Sequence, residues 1–332
     1  MSPAENFAVL AGQRCIVFGA SGFIGRWVAR ELCSAGARLT LPVRDLDQAR
    51  KVFDAWEVLG DVREADLSQA GVATALIELV RPALVFNLAG YGVDRSERDP
   101  LLAQRINTDL PEEMTAALSR ARDLNWGHQA FIHTGSALEY GRLRDNLNEE
   151  GRAAPTTLYG RTKLHGTQLV IQRAQERGMR AIVARLFTVY GPGEHAGRLL
   201  PALLEAAKRE GELALSEGLQ RRDFTYAQDA AEGLVRLALV AATVAPEPKI
   251  VNLATGTMAS VREFSIFAAR VLAIPPSRLR FGAVPTREEE MDHAGVSIER
   301  LRTLTSGWAP QTTIVEGVER TLAFLRERGP LP

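Results

Sequence analysis

Tyr159 and Lys163 stand four residues apart in the run Tyr159-Gly-Arg-Thr-Lys163. On a helix that interval puts a phenol and an ammonium on one face, where both can address one substrate atom. A phenol with a pKa near ~10 is a poor acid–base at neutral pH, and a neighbouring ammonium offsets this by stabilising the anion. Tyr159 can then deliver or remove a proton at a substrate oxygen. Upstream, Ser136 follows the strand-like run 130–134 and offers a hydroxyl to the same oxygen. Taken singly, neither signal is specific. Tyrosine–lysine pairs at this spacing are common on solvated helix faces, and a turn serine often satisfies local backbone.

A second pattern concerns an anion rather than a proton. Cys15-Ile-Val-Phe18 reads as a short buried strand that runs into Gly19, Gly22 and Gly25 at the spacing GxxGxxG, then into an amphipathic helix. Amides at a helix start carry positive potential, and the backbone of Gly19, Ser21, Gly22, Phe23, Ile24 and Gly25 would surround the bound group. Gly19 permits the tight turn, Gly22 lets a pyrophosphate approach, and Gly25 lets helix and strand close together. Such a turn in isolation is also compatible with an ordinary strand-to-helix connection.

These residues need a scaffold that brings them to one edge. Apolar strands are expected at 14–18, 38–43, 58–65, 84–88, 130–134 and 180–186, with helices near 23–35, 71–80, 100–124 and 157–177. Near-continuous apolar strands separated by helices predict an α/β fold: a doubly wound parallel sheet of the Rossmann type, covered on both faces. Ligands of such a sheet bind beyond the carboxyl ends of its strands, where Gly19, Asn87 and 134–136 all fall. After residue 186 proline and glycine turns multiply. The helices near 199–209, 261–272 and 313–328 and the strand 250–253 read as a smaller C-terminal lobe. The expected division is 12–186 for dinucleotide binding and 187–330 for substrate binding, with some exchange of segments.

Composition narrows the classes. Lysine plus arginine number 40 and aspartate plus glutamate 40, so no net field draws the chain to nucleic acid or anionic lipid. Cys15 and Cys33 lack metal-ligand spacing, and histidines 128, 133, 165, 195 and 293 are dispersed, so no metal site is expected. No basic and apolar leader is apparent at the N-terminus, and a cytoplasmic location follows by default.

Taken together, the motifs resemble the extended short-chain dehydrogenase/reductase family, the group of NAD(P)-dependent nucleotide-sugar epimerases, dehydratases and reductases. The resemblance runs over nearly the whole chain. It includes the GASGFIG turn, Asp66-Leu67, Asn87-Leu88-Ala89, Ile106-Asn107-Thr108, Ser136, Tyr159/Lys163 and Arg185-Leu-Phe-Thr-Val-Tyr-Gly-Pro-Gly193. It continues through Gln220-Arg-Arg-Asp-Phe-Thr-Tyr-Ala-Gln-Asp229 and Gly307-Trp308-Ala-Pro310. It implies Ser136, Tyr159 and Lys163 as catalytic groups, with Lys163 also on the nicotinamide ribose and Asn107 structural near that lysine. It implies Asp66 and Leu67 at the adenine, and Leu88 and Ala89 along the ribose and pyrophosphate. Arg222 lies where the family places an arginine on the substrate diphosphate, and Arg198 and Arg287 are further candidates. Arg198 and Arg287 are equally readable as surface ion-pair partners. Arg221, beside Arg222, leaves the choice between neighbours open.

Cofactor choice turns on the end of the second strand, Leu41-Pro-Val-Arg44-Asp45. Arg44 can grip a 2′-phosphate, which favours NADP; Asp45 can instead accept from ribose hydroxyls, which favours NAD. Two departures from the family bear on the reaction. Ala137 and Leu138 stand where sugar 4,6-dehydratases carry an acidic pair, so dehydration is not expected. Thr188 stands where many relatives have an asparagine. The leading expectation is an NADP-dependent ketoreductase acting on a nucleotide-linked keto-deoxysugar. The alternatives are an epimerase with tightly held NAD, a reductase of a carbonyl compound that is not a sugar, and a non-catalytic dinucleotide sensor. The apolar stripe Leu102, Ile106, Leu110, Met114, Leu118 and Ala121 is explained mostly by core burial, while the resemblance implies a homodimer packed through this helix and the one bearing Tyr159.

Overall fold

The structure is a computed structural model that describes residues 7–93, 97–121, 129–143, 145–244, 247–286, 292–329 and 331. In chain order the first strands are β1 (Arg14–Phe18), β2 (Arg38–Val43), β3 (Asp61–Glu64), β4 (Leu84–Asn87) and β5 (Ala130–Ser136). Between them run α1 (Phe23–Ser34), α2 (Leu46–Trp56), α3 (Val72–Val80), and then α4 (Pro100–Gln104), a π-helical turn (Arg105–Asp109) and α5 (Leu110–Arg120). There follow β6 (Asn146–Leu147), α6 (Leu158–Glu176), β7 (Arg180–Leu186), β8 (Thr188–Tyr190), α7 (Leu199–Ala207), β9 (Leu213–Leu215) and β10 (Arg221–Tyr226). The chain closes with α8 (Ala227–Thr243), β11 (Lys249–Leu253), β12 (Met258–Ser260), α9 (Val261–Val271), β13 (Leu279–Phe281), β14 (Gly295–Val296), α10 (Glu299–Leu304) and α11 (Ile314–Arg328).

Among the described residues seven parallel strands form one sheet in the order β11-β7-β5-β4-β1-β2-β3. Alternate residues of β1 explain why both faces must be covered. Cys15 and Val17 join the cluster that holds Trp27, Val28, Leu32 and Leu234 of α1 and α8. Ile16 and Phe18 join the cluster with Ile77, Met114 and Val170 of α3, α5 and α6. Side chains two apart on a strand share a face, so one uninterrupted apolar run serves two layers of helices. The chain reverses direction of winding between β3 and β4, on either side of β1, and the glycine turn lies at that crevice.

Three expectations need correction. The strand at 250–253 does not belong to the smaller lobe: β11 pairs with β7 from Lys249↔Ile182 to Leu253↔Leu186 and closes that side of the large sheet. Its leading helix, α8, buries Leu234, Val235, Leu237 and Ala238, and the apolar face can be covered only by returning to the sheet. A helix, α2, also fills the interval after β2. Asp45 caps it, and Ala49, Val52, Phe53 and Trp56 form its buried stripe. Strand β3 is shorter than 58–65. The helix expected to reach 124 is described through Arg120; residues 122–124 lie outside the described residues. Its stripe is buried at Leu110, Met114, Leu118 and Ala121, and half-buried at Leu102 and Ile106.

The segments beyond β7 that leave the large sheet have a core of their own. Strand β6, which precedes β7, pairs with β14, and their Leu147 and Val296 join the core of the large sheet; β10 pairs in parallel with β8 and antiparallel with β12, while β9 pairs with β13. Tyr190, Leu203, Phe224, Phe264 and Val318 pack beneath them, with the Phe224 and Phe264 rings stacked 4.5 Å apart. Among the described residues no helix is long and apolar enough to cross a membrane.

Candidate active site

Gly19 leaves β1 with φ +79°, a left-handed conformation that side chains rarely tolerate. A Cβ there would stand 2.8 Å from the Ala89 nitrogen and from the Leu88 carbonyl carbon. At Gly25 a Cβ would run into the Gly19 carbonyl oxygen, so α1 approaches β1 only through glycine. Gly22 is different. Its nearest foreign atom would be the Gly19 oxygen at 3.1 Å, and as N-cap of α1 it brings no side-chain cap. Arg26 pins the loop by donating through Nε to Gly22 O (3.0 Å) and through Nη2 to Ser21 O (2.7 Å). Ser21, Phe23 and Ile24 stay half-buried around the uncapped helix start. Glycine at the close approaches of the turn and uncapped helical amides together fit the pyrophosphate of a dinucleotide.

Leu88 and Ala89 back directly onto this turn. The Leu88 N–H donates to Phe18 O at 2.9 Å, and the Ala89 N–H to Asn87 Oδ1 at 3.2 Å. Arg44 and Asp66 lie just past the ends of the paired strands β2 and β3, with Leu67 buried beside them. Hydrogen bonds from Ser68, then from Gln69, hold the Asp66 carboxyl below its ordinary range, and the charge of Arg44 adds to the effect. The two residues therefore share one end of the crevice. Asp45 is engaged elsewhere: its Oδ1 accepts from Gln48 N at 2.9 Å as the cap of α2.

The second cluster forms beyond β4 and β5. Thr157 caps α6 by accepting from Gly160 N at 3.0 Å, which sets Tyr159 in the first turn and Lys163 one turn later on the same face. The helix leans on the turn after β5 so closely that a Cβ on Gly160 would lie 2.5 Å from Leu138 O. Ser136 Oγ accepts from Leu138 N at 3.2 Å, and its hydroxyl is near enough to the Tyr159 phenol to act on it. Tyr159 also overhangs the loop after β4, where a Cβ on Gly90 would stand 4.0 Å from Tyr159 Oη. Asn107 joins that loop to α6: Oδ1 accepts from Tyr91 N (3.0 Å), while Nδ2 donates to Tyr91 O (2.7 Å) and Thr162 Oγ1 (2.9 Å). Ser136, Tyr159, Lys163 and Asn107 are thus brought to one place.

Electrostatics there follow from burial. Lys163 is 1% exposed, and desolvation lowers its pKa to about 8 against the opposing charge of Glu139. Desolvation and then Glu139 push the Tyr159 phenol up, outweighing the opposing influence of the Ser136 hydroxyl and the charge of Arg198. This balance runs against the anion-stabilising effect expected of a neighbouring ammonium: the phenol is held protonated. His133, fully buried on β5, is driven well below its ordinary pKa by burial and by Lys163, and is neutral. Ala137 and Leu138 offer no proton, and the carboxylate that follows, Glu139, is fully buried in an ion pair with Arg185 at 2.8 Å.

The arginines differ in placement. Arg198 begins α7 and lies 3.7 Å from Glu194, and its charge reaches Tyr159. Arg222 is half-buried on β10 opposite Ala259, where its charge acts on His293, while Arg221 is exposed. Thr188 begins β8, paired with Phe224. Arg287 lies outside the described residues. Sequence reasoning assigned no role to Glu139, Arg26 or Glu194. The tight Gly135 and the arginine at 185 were visible, but nothing local shows that they converge on Glu139.

Comparison with known proteins agrees with this geometry. Residues 15–254 match the model of the NAD dependent epimerase/dehydratase family. The dTDP-6-deoxy-L-talose 4-dehydrogenase (NAD(P)(+)) of Kitasatospora kifunensis is 29% identical over 319 residues, covering 93% of this chain and 94% of the relative. The UDP-glucose 4-epimerase of Rhizobium leguminosarum bv. trifolii is 24% identical, covering 92% and 95%. The solved structure of UDP-glucuronic acid 4-epimerase from Bacillus cereus, in complex with UDP-glucuronic acid and NAD, superposes with a TM-score of 0.80 at 20% identity, covering 95% and 99%. With the glycine cradle, the Ser–Tyr–Lys cluster and a family match across most of its length, the chain belongs to the NAD-dependent epimerase/dehydratase family of NAD(P)-dependent oxidoreductases and nucleotide-sugar epimerases.

Proposed function

We propose that the protein is an NADPH-dependent ketoreductase of a nucleotide-linked keto-deoxysugar, working in the cytoplasm. The observation that carries this reading is a phenol held protonated next to the Ser136 hydroxyl, beside a buried lysine, with no acid–base group at 137 or 138. Reduction of a ketone needs one proton at the oxygen that gathers charge, and a protonated Tyr159 is the donor for it. A bound NADPH supplies the hydride. Ser136 hydrogen-bonds the same oxygen, and Lys163 binds the nicotinamide ribose and stabilises the phenolate left behind. Gly19, Ser21, Gly22, Phe23, Ile24 and Gly25 cradle the pyrophosphate; Leu88 and Ala89 line the ribose; Asp66 and Leu67 meet the adenine. Arg44 takes the 2′-phosphate. The capping role of Asp45 supports this choice, because one of its oxygens is already spent on Gln48 N. Arg198, Arg222 and Arg287 receive the substrate diphosphate, and α5 and α6 pack against a second copy in a homodimer. The domain division follows the same logic: the large sheet holds the cofactor, and the segments that leave it after 186 close over the sugar.

Nucleotide-sugar epimerisation is the second reading, favoured by the likeness to the Rhizobium enzyme along the chain. It would use the same three residues with NAD retained. Denaturing freshly purified protein and identifying any released nucleotide separates the two. Protein that comes empty and binds NADPH more tightly than NADH supports the reductase. Stoichiometric NAD that survives dialysis overturns it.

A further inference from the structure

Glu139 is a fully buried carboxylate whose two oxygens bind three different elements. Oε1 accepts from the Ser136 backbone N–H (2.8 Å) at the end of β5 and from Thr167 Oγ1 (3.0 Å) on α6. Oε2 accepts from Arg185 Nε (2.8 Å) on β7. Thr167 follows Lys163 by four residues, so the carboxylate grips α6 one turn beyond the lysine on the same face. Gly135 makes room for it: a Cβ there would stand 2.7 Å from Oε1 and 3.1 Å from Arg185 Cγ. Glu139 and Ser136 form a reciprocal cap around residues 137–139, which orients the hydroxyl that meets Tyr159. A buried charge kept in this way is not explained by stability, since apolar replacements of buried ion pairs are commonly neutral or better.

We propose that Glu139 is a positioning residue that ties the turn carrying Ser136 to the helix carrying Lys163 and sets a fixed negative charge one helical turn from that lysine. The inference rests on the reading of Tyr159 and Lys163 as the reacting pair. Several groups face that pair: neutral His133 from β5, Glu139 from the turn after it, Arg185 from β7 behind Glu139, and Arg198 and Glu97 from flanking segments. Of these, Glu139 raises the pKa of both Tyr159 and Lys163, so its loss should lower the Lys163 titration point from about 8.

The chain suits a direct measurement, because its lysines are Lys51, Lys163, Lys208 and Lys249 and a Lys163→Met variant assigns the fourth signal. Carbon-13 NMR of labelled lysine side chains in the full chain would follow the Lys163 midpoint in wild type, Glu139→Gln and Glu139→Gln/Arg185→Met. The double variant removes the unpaired guanidinium and carries the test if the single variant does not fold. The expected result is a fall of about one pH unit in the Lys163 midpoint, with the other three lysines unmoved. A folded double variant with an unchanged Lys163 midpoint would make Glu139 a purely structural ion-pair partner and overturn the proposal. The reading of Tyr159 fails separately: full turnover in Tyr159→Phe would remove the proton donor without touching the lysine shift.

Discussion

The two ends of the crevice are built on different principles. At the β4–β5 end Ser136, Tyr159 and Lys163 are held by buried partners: Glu139, Arg185, Asn107 and Thr162 leave little freedom of position or charge. At the β2–β3 end Arg44 is exposed, and Asp66 answers it across water-accessible strand ends. Low dielectric makes a fixed charge strong at the first end, and screening makes it modest at the second. On the proposed reading, proton transfer sits where geometry is rigid, and the choice between two cofactors sits where a single side chain can change without disturbing the core.

Substitutions can break this contrast or sharpen it. Tyr159→Phe should have the largest effect, lowering kcat for ketone reduction roughly 10²–10⁴-fold with cofactor affinity retained. A loss confined to KM would mean that the rigid end binds rather than reacts. Next comes Glu194, whose side chain is 6% exposed and whose pKa burial raises from 4.5 to about 7. The folded state keeps a proton there that the unfolded state releases, so stability should fall as pH rises from 4.5 to 7. At about 1.4 kcal/mol per unit the loss is at most roughly 3–4 kcal/mol. Urea midpoints across that window should flatten in Glu194→Gln; an unchanged slope would place the titrating group elsewhere.

Effects at the open end should be smaller and more selective. Arg44→Ala should cost about 2 kcal/mol of NADPH binding, roughly 30-fold, while NADH binding and thermal stability barely move. Equal losses for both cofactors would show that Arg44 covers the adenine instead of reading a phosphate. Smallest is Asp45→Ala, expected to cost about 1 kcal/mol of stability by uncapping α2, without altering cofactor preference. A change in preference would return Asp45 to the ribose.

What was legible in the sequence was local. The glycine turn and the Tyr159/Lys163 interval are each weak alone, and they become specific through their order along one chain with the other motifs. The capped stripe of α2, from Asp45 through Trp56, is equally readable, and reading Arg44 and Asp45 only as cofactor contacts passes over it. Strand β11 differs for another reason: Ile250, Val251 and Leu253 specify a strand but not its neighbour, and only the returning face of α8 sends it to β7. Glu139 and Glu194 were hidden more deeply. Their burial depends on contacts with residues 136, 167 and 185, and with 191 and 198, and the first set meets only after three separate elements have packed.

The most direct test of the account follows absorbance at 340 nm when a nucleotide-linked 4-keto-6-deoxysugar is added to enzyme and NADPH. The account predicts net oxidation of one NADPH for each sugar reduced, lost in Tyr159→Phe. Inversion of a sugar hydroxyl with no net change in the nicotinamide pool would contradict it and make the protein an epimerase.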